Sequence, residues 1–134
     1  MYGWQIFGMM SRFVKYNSYL RQIILGMNWV ELTNLNQLDE IDNESKANRV
    51  LIFKHSTRCG RSAAVLERFK RGWNAESKIK TYYLDLLKHR DISNAIAERY
   101  AIQHESPQVL VISDGKCVFN ESDLAIQVSD ILVL

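Results

Sequence analysis

The stretch "KHSTRCGRS" at residues 54–62 contains the side chain best suited to chemistry, a cysteine among basic and small polar residues. Cys59 is flanked by Arg58 and Arg61 and follows the apolar run "RVLIF" by a few residues. Neighbouring cations and the backbone N–H groups of a helix start both stabilise a thiolate, which is the form that attacks disulfides. We therefore predict that Cys59 is an exposed, reactive cysteine, although many single cysteines are only buried structural residues.

The second cysteine lacks this setting. Cys117 lies between Lys116 and Val118 in a predicted strand with no helix start beside it, so we expect it to be structural. The two cysteines form no C-x-x-C pair, and a small disulfide-stapled secreted domain would carry more of them. This cysteine usage predicts a reduced, cytoplasmic protein.

The only proline of the chain marks a second position of interest. Pro107 stands in "HESPQVLVI", directly before a predicted central strand, where proline is tolerated only at the first residue. A cis Ser106–Pro107 bond would bring the Ser106 backbone beside Cys59, ready to pair with a substrate chain. The sequence leaves a plain trans turn proline as the alternative.

The pattern of elements places both positions at one edge of a sheet. Two apolar runs, "RVLIFKHS" and "QVLVIS", predict central strands buried on both faces. Further strands are predicted at "WVEL" and "KIKTYYLDL", and "DG" predicts a type I′ hairpin into "KCVFN". Helices are predicted over four segments in which apolar residues recur at helical spacing: "LNQLDEIDNES", "SAAVLERFKRGW", "ISNAIAERYAI" and the tail "DLAIQVSDILVL".

The order of these elements, βαβαβαββα, predicts an α/β fold with a mixed central sheet flanked by helices. Cys59 falls at a βα turn after a buried strand, which is where α/β folds place ligands and reactive groups. The length of 134 residues fits one domain, which we assign to residues 27–134. Residues 1–26 are predicted to be an N-terminal appendage, either disordered or loosely helical, or an over-extended start with Met27 as the initiator.

Charge and hydropathy restrict the partners. The net charge is +2, but residues 1–26 hold three basic and no acidic side chains, so 14 basic and 15 acidic side chains remain. A nearly neutral domain predicts no nucleic-acid partner. The first 26 residues are too interrupted to span a bilayer, and Gly3, Gly8 and Asn17 disfavour a membrane-surface helix.

Together, the element order, a cysteine at the second helix start and a proline before the fourth strand resemble the thioredoxin fold. The segments "FKHSTRC", "YYLDLL", "RDISNAIAERYAIQHESPQVLVI" and "DGK" resemble the monothiol bacilliredoxin family over about residues 28–132. The resemblance implies that Cys59 is the redox cysteine and Pro107 the cis-proline. Thr57 and Arg58 match the motif before the thiol, whereas Gly60 stands where the family commonly has proline.

The function implied by this resemblance is removal of bacillithiol from S-thiolated client proteins by thiol–disulfide exchange. Bacillithiol would be a co-substrate, and no tightly bound cofactor is expected. With no resolving cysteine nearby, a second small thiol or a flavoprotein reductase would regenerate Cys59. Arg58 and Arg61 would steer the carboxylates of bacillithiol, unless they are only solvated surface charges.

Three neighbours of Cys59 have roles that the sequence leaves open. Ser62 is expected to hydrogen-bond the sulfur, and Gly60 keeps a backbone N–H that proline would lack. His55 is either an acid–base group or, as we favour, a strand-end residue with a structural hydrogen bond.

Two other functional classes remain open. The "CGRS" at residues 59–62 resembles the C-G-F-S of monothiol glutaredoxins, which implies an iron–sulfur cluster shared by two chains and two small thiols. A non-catalytic binding protein that uses the thioredoxin surface is the other alternative. We expect no metal site, because His55, His89, His104 and the cysteines lack metal-ligand spacing.

Overall fold

The computed structural model describes residues 27–134, and the predicted appendage lies outside this range. The chain forms five strands: β1 (Trp29–Glu31), β2 (Val50–His55), β3 (Lys80–Asp85), β4 (Gln108–Ser113) and β5 (Lys116–Ser122). Its α-helices are α1 (Gln37–Glu44), α2 (Gly60–Gly72), α3 (Arg90–Arg99) and α4 (Val128–Leu132). The predicted order βαβαβαββα is confirmed.

The carboxyl-terminal tail differs from the prediction of one closing helix. A 3₁₀ turn, Asp123–Ala125, precedes α4, which has only five residues. Ile126 and Gln127 between them are extended, and Asp123 has a left-handed φ of 56°. This backbone interrupts helical hydrogen bonding. The tail residues that reach the core are Ile126, in the extended connection, and Val128 and Ile131, in α4.

The sheet is mixed, as predicted, with the strand order β1-β3-β2-β4-β5. Strands β1 and β2 run parallel to β3, whereas β4 is antiparallel to both β2 and β5. All six residues of β2 are buried, because this strand is central and helices cover both faces. The sheet therefore holds the carboxyl end of β2, which leads to Cys59, in a rigid frame.

Two apolar cores lie on opposite faces of the sheet. Side chains of α1 and α3 pack with one set of strand residues, among them Ile52 and Leu84. Those of α2 and α4 pack with the other set, which includes Phe53. Each fully buried apolar side chain contributes about 1.5–3 kcal/mol relative to an exposed one, so both faces support the central strand. No helix within residues 27–134 is long and apolar enough to cross a membrane.

The hairpin between β4 and β5 has the predicted type I′ character, since Asp114 and Gly115 have φ values of 50° and 72°. Ser45, which follows α1, receives hydrogen bonds from both: the Asp114 N–H donates to its carbonyl (2.9 Å) and the Gly115 N–H to its Oγ (2.9 Å). The turn is thus tied to the end of α1.

A pair of glycine substitutions isolates the backbone requirement of this turn. A Cβ at Gly115 or at Gly60 would meet no atom within 4 Å, but only Gly115 has a positive φ. We expect Gly115→Ala to lower the free energy of unfolding by about 1 kcal/mol, because alanine disfavours the left-handed region. Gly60→Ala should cause no loss, and Gly115→Asn a smaller loss than alanine. Urea unfolding measures all three, and equal effects of the two alanine variants would contradict the assignment.

Candidate active site

Cys59 occupies the N-cap position of α2, as the sequence predicts. Its backbone is extended (φ −106°, ψ 116°), its side chain is exposed, and it is not in a disulfide. The Cys59 N–H donates to the Ser56 carbonyl (3.2 Å), and its own carbonyl accepts from the Ala63 N–H (3.1 Å). The first turn of α2 contains no acidic residue, so no carboxylate of the helix itself opposes its free N–H groups and the positive end of its dipole.

The two arginines beside Cys59 are both exposed but differ in their contacts. Arg61 Nη1 lies 3.1 Å from Asp123 Oδ2, with 63% and 43% of the two side chains exposed. An ion pair this exposed contributes little to stability. Arg58 makes no ion pair with any residue of the described domain, so its charge is the one left free next to the thiol. Thr57 and Gly60 are likewise exposed around Cys59.

Ser62 does not face the sulfur with a free hydroxyl, contrary to the prediction. Its side chain is fully buried, and its Oγ lies 2.7 Å from His55 Nδ1. The same Oγ accepts a hydrogen bond from the Ser56 N–H (3.1 Å), which leaves the hydroxyl proton for His55. Ser62 therefore joins the end of β2 to the start of α2, and it supports the turn beneath Cys59 instead of the sulfur.

The contacts of His55 match the structural role that the sequence favoured. The residue is buried, and its ring centroid lies 5.9 Å from that of Tyr83. Since Nδ1 accepts the Ser62 proton, the ring proton is assigned to Nε2 in a neutral imidazole. Burial lowers the pKa of His55 below its ordinary value near 6.5, although the carboxylate of Asp85 opposes this shift.

The Ser106–Pro107 peptide bond is cis. Ser106 is exposed and Pro107 is buried at the start of β4. The Pro107 carbonyl accepts a hydrogen bond from the Asp123 N–H (2.9 Å), and Asp123 also holds Arg61. These contacts link the proline segment to the first turn of α2, which is the helix that carries Cys59.

Sequence reasoning missed two polar residues near Cys59 and the proline segment. Asp123 carried no signal, because its role depends on a left-handed backbone that the predicted tail helix did not contain. Lys54 did carry one, since it is a single charged residue in the apolar strand "VLIFKH", and it is completely buried. The Lys54 side chain contacts His104, in the segment before Pro107.

The other cysteine remains apart from the site. Cys117 is half-buried, with Sγ 3.2 Å from the Phe119 carbonyl, and burial raises the pKa of its thiol. Across residues 27–134, no three His, Cys, Asp or Glu side chains come together in a group that could hold a metal ion.

The family model described as monothiol bacilliredoxin BrxC matches residues 30–131. The chain belongs to the monothiol bacilliredoxin family. A solved structure described as an oxidoreductase with a thioredoxin fold is 30% identical, with a TM-score of 0.69 over 78% of this chain and 91% of that one. The bacilliredoxin chain therefore has a thioredoxin fold and the setting of a thiol oxidoreductase.

Two thioredoxins share the fold of this bacilliredoxin at lower identity. A thioredoxin variant from Halobacterium salinarum is 20% identical, with a TM-score of 0.57 over 78% of this chain and 84% of that one. Thioredoxin from Schistosoma mansoni is 18% identical, with a TM-score of 0.59 over 79% and 91%. At these identities the similarity concerns the fold alone.

Truncation of Ser62 tests its structural role in this bacilliredoxin. Ser62→Ala leaves the Ser56 N–H and His55 Nδ1 without their buried partner, which should lower the free energy of unfolding by about 1–3 kcal/mol. The matched control is Ser106→Ala, because Ser106 is exposed, and it should change stability little. If Ser62 instead served the sulfur, Ser62→Ala would slow iodoacetamide alkylation of Cys59 while leaving urea unfolding unchanged.

The buried His55 predicts a pH dependence of stability. Because its folded-state pKa lies below the unfolded value, the unfolded chain binds more protons as the pH falls below about 6.5. The free energy of unfolding should decrease over that range and be unaffected by His55 above it. In His55→Asn, which keeps an acceptor for Ser62, the decrease should be smaller. Identical slopes for the two proteins between pH 7 and pH 5 would contradict the prediction.

Proposed function

We propose that this protein removes a low-molecular-weight thiol, bacillithiol, from S-thiolated proteins through Cys59. The observation that carries the proposal is the exposed thiol at the N-cap of α2 in a monothiol bacilliredoxin. In thiol–disulfide exchange the attacking species is the thiolate. Exposure gives a protein-bound disulfide access to the sulfur.

The first step is attack of the Cys59 thiolate on the bacillithiol sulfur of the mixed disulfide. A new S–S bond forms between Cys59 and bacillithiol, the original S–S bond breaks, and the client cysteine leaves as a thiolate that takes a proton from solvent. The client is thereby reduced, while Cys59 and bacillithiol together become the oxidised pair. Apart from the solvent proton, the step needs no oxidant, reductant or further reactant.

The second step restores Cys59. A second low-molecular-weight thiol attacks the bacillithiol sulfur of the Cys59 adduct. This thiol and bacillithiol leave together as a small-molecule disulfide, and Cys59 is released as a thiolate. Both cysteines of the sequence are free, and Cys117 is half-buried in a hairpin strand, so an external thiol is the simpler resolving group. A flavoprotein reductase would then reduce the small disulfide. This cycle needs a reducing compartment, which points to the cytoplasm.

Recognition of the small thiol would use charge and backbone at the rim. Arg58 has no acidic partner among the described residues, so its charge would attract the carboxylates of bacillithiol. Arg61 shares its charge with Asp123, so its contribution should be weaker. Thr57, Gly60 and the Ser106–Pro107 segment complete the rim, and the Ser106 backbone would pair with the client chain.

Two variants, one at each cysteine, test the proposal. Wild type, Cys59→Ser and Cys117→Ser are exposed separately to bacillithiol disulfide and to glutathione disulfide, and intact mass spectrometry follows. We expect one bacillithiol adduct on wild type and on Cys117→Ser, and none on Cys59→Ser. The adduct should disappear when a fresh small thiol is added. Absence of any adduct with either disulfide would contradict the mechanism.

The same proteins distinguish the two alternative classes. A visible absorbance shoulder in protein purified without oxygen, lost in Cys59→Ser, would favour a cluster-binding module. Full reduction of an S-bacillithiolated client by Cys59→Ser would favour a binding protein without redox turnover. The proposed exchange instead predicts a colourless protein and a client that stays modified with Cys59→Ser.

A further inference from the structure

Lys54 is a completely buried lysine with no carboxylate partner in the described part of the chain. Its Nζ lies 2.6 Å from His104 Nδ1 and 3.2 Å from Gln108 Oε1, so its two partners are neutral acceptors. Burial lowers its pKa to about 8, and the nearby Glu105 carboxylate only partly offsets this. A buried ammonium is costly, and an apolar side chain would fit the core of β2 at a lower cost.

The two partners of Lys54 belong to one segment, residues 103–108, which contains the cis Ser106–Pro107 bond. Gln108 fixes this segment internally: its Nε2 donates to the Gln103 carbonyl (3.0 Å), and its Oε1 accepts from the Glu105 N–H (3.3 Å). The loop therefore bonds the Gln108 amide at both ends, and Lys54 adds a second hydrogen bond to the Oε1 end. All these contacts lie within three residues of Ser106.

His104 is the second residue of the segment that Lys54 contacts. Its Nδ1 faces both the Lys54 ammonium and Ser93 Oγ (3.2 Å), so this nitrogen is an acceptor and the ring is neutral. Burial and the positive charges of Lys54 and Arg90 lower the pKa of His104, whereas Glu105 acts in the opposite direction. The Lys54 ammonium therefore contacts one side chain before Ser106, that of His104, and one after it, that of Gln108.

The strand that carries the ammonium leads directly to the thiol. Lys54 lies in β2, which is buried along its whole length, and Cys59 follows five residues later at the start of α2. A group rooted in this strand fixes the 103–108 segment relative to the thiol. We propose that Lys54 is a positioning residue that holds the Ser106 backbone where a bound substrate chain must pair, a role that rests on the proposed function.

This role separates two reactions of the same cysteine. Alkylation of Cys59 by iodoacetamide needs only the thiol, whereas exchange with an S-bacillithiolated peptide also needs the loop that holds the peptide chain. Lys54→Met keeps an unbranched side chain of similar length and removes the ammonium. We expect it to lower the second-order rate constant for peptide exchange by about tenfold or more, since small misplacements of a binding group are costly. The alkylation rate should stay that of wild type.

Two controls exclude general effects. Lys80→Met removes a lysine that bonds Glu44 at the opposite end of the sheet, and it should leave both reactions unchanged. Ile41→Val, a core substitution in α1 that costs about 0.5–1.5 kcal/mol, shows what destabilisation alone does. Equal exchange rates in Lys54→Met and wild type would overturn the proposal, and so would an equal fall in alkylation and exchange.

A readout that does not depend on activity separates this inference from the proposed function. Hydrogen exchange of the Glu105 amide, which Gln108 protects, should be faster in Lys54→Met than in wild type and unchanged in Lys80→Met. If wild type fails to exchange with the peptide, the proposed function fails, and the Glu105 amide still decides whether Lys54 holds the segment. Unchanged protection in Lys54→Met would refute that role.

A second pair of variants keeps the test decisive if Lys54→Met does not fold. His104 is exposed, so its substitution is tolerated more easily. His104→Ala removes one acceptor of the ammonium and should lower peptide exchange, whereas His104→Asn keeps an acceptor near the position of Nδ1 and should restore it. Equal rates in the two variants would count against the proposal.

Discussion

The junction between β2 and α2 is the constraint on which the site depends, because it must end a fully buried strand and begin a helix within four residues. Ser62 and His55 make this possible by satisfying polar groups that the turn would otherwise bury. Their hydrogen bonds lie beneath the turn, and the exposed residues above it, including Cys59, are free for chemistry. The thiol is thus accessible while its backbone is held by the core.

Two other segments are connected to this junction by polar contacts. The proline segment enters β4 beside β2, and the 3₁₀ turn after β5 connects it to α2 through Asp123, which bonds the Pro107 carbonyl and the Arg61 side chain. Residues far apart in the sequence therefore share one rim. The exposed ion pair of Arg61 adds little energy, and among residues 27–134 it leaves Arg58 as the arginine beside the thiol without an acidic partner.

Two buried polar residues lie at the end of the sheet that carries the site. Lys54 and Gln108 face each other across the β2–β4 pair, and both direct their side chains to the segment before Pro107. An apolar pair would stabilise the sheet at lower cost, but it would leave the carbonyl of Gln103 and the N–H of Glu105 without these partners. The arrangement fits a core in which some stability is given up to fix the geometry of a loop.

The sequence by itself determined the element order, the sheet type, the hairpin turn and the position of Cys59 at a helix start. These follow from local signals: apolar runs, helical spacing, the Asp114–Gly115 pair, and a change of pattern after β2. Only the tertiary structure decided what Ser62, Asp123 and Lys54 contact. Their partners come from other turns or strands, and a hydroxyl, carboxylate or ammonium takes whichever partner the packing brings within about 3 Å, which no local pattern encodes.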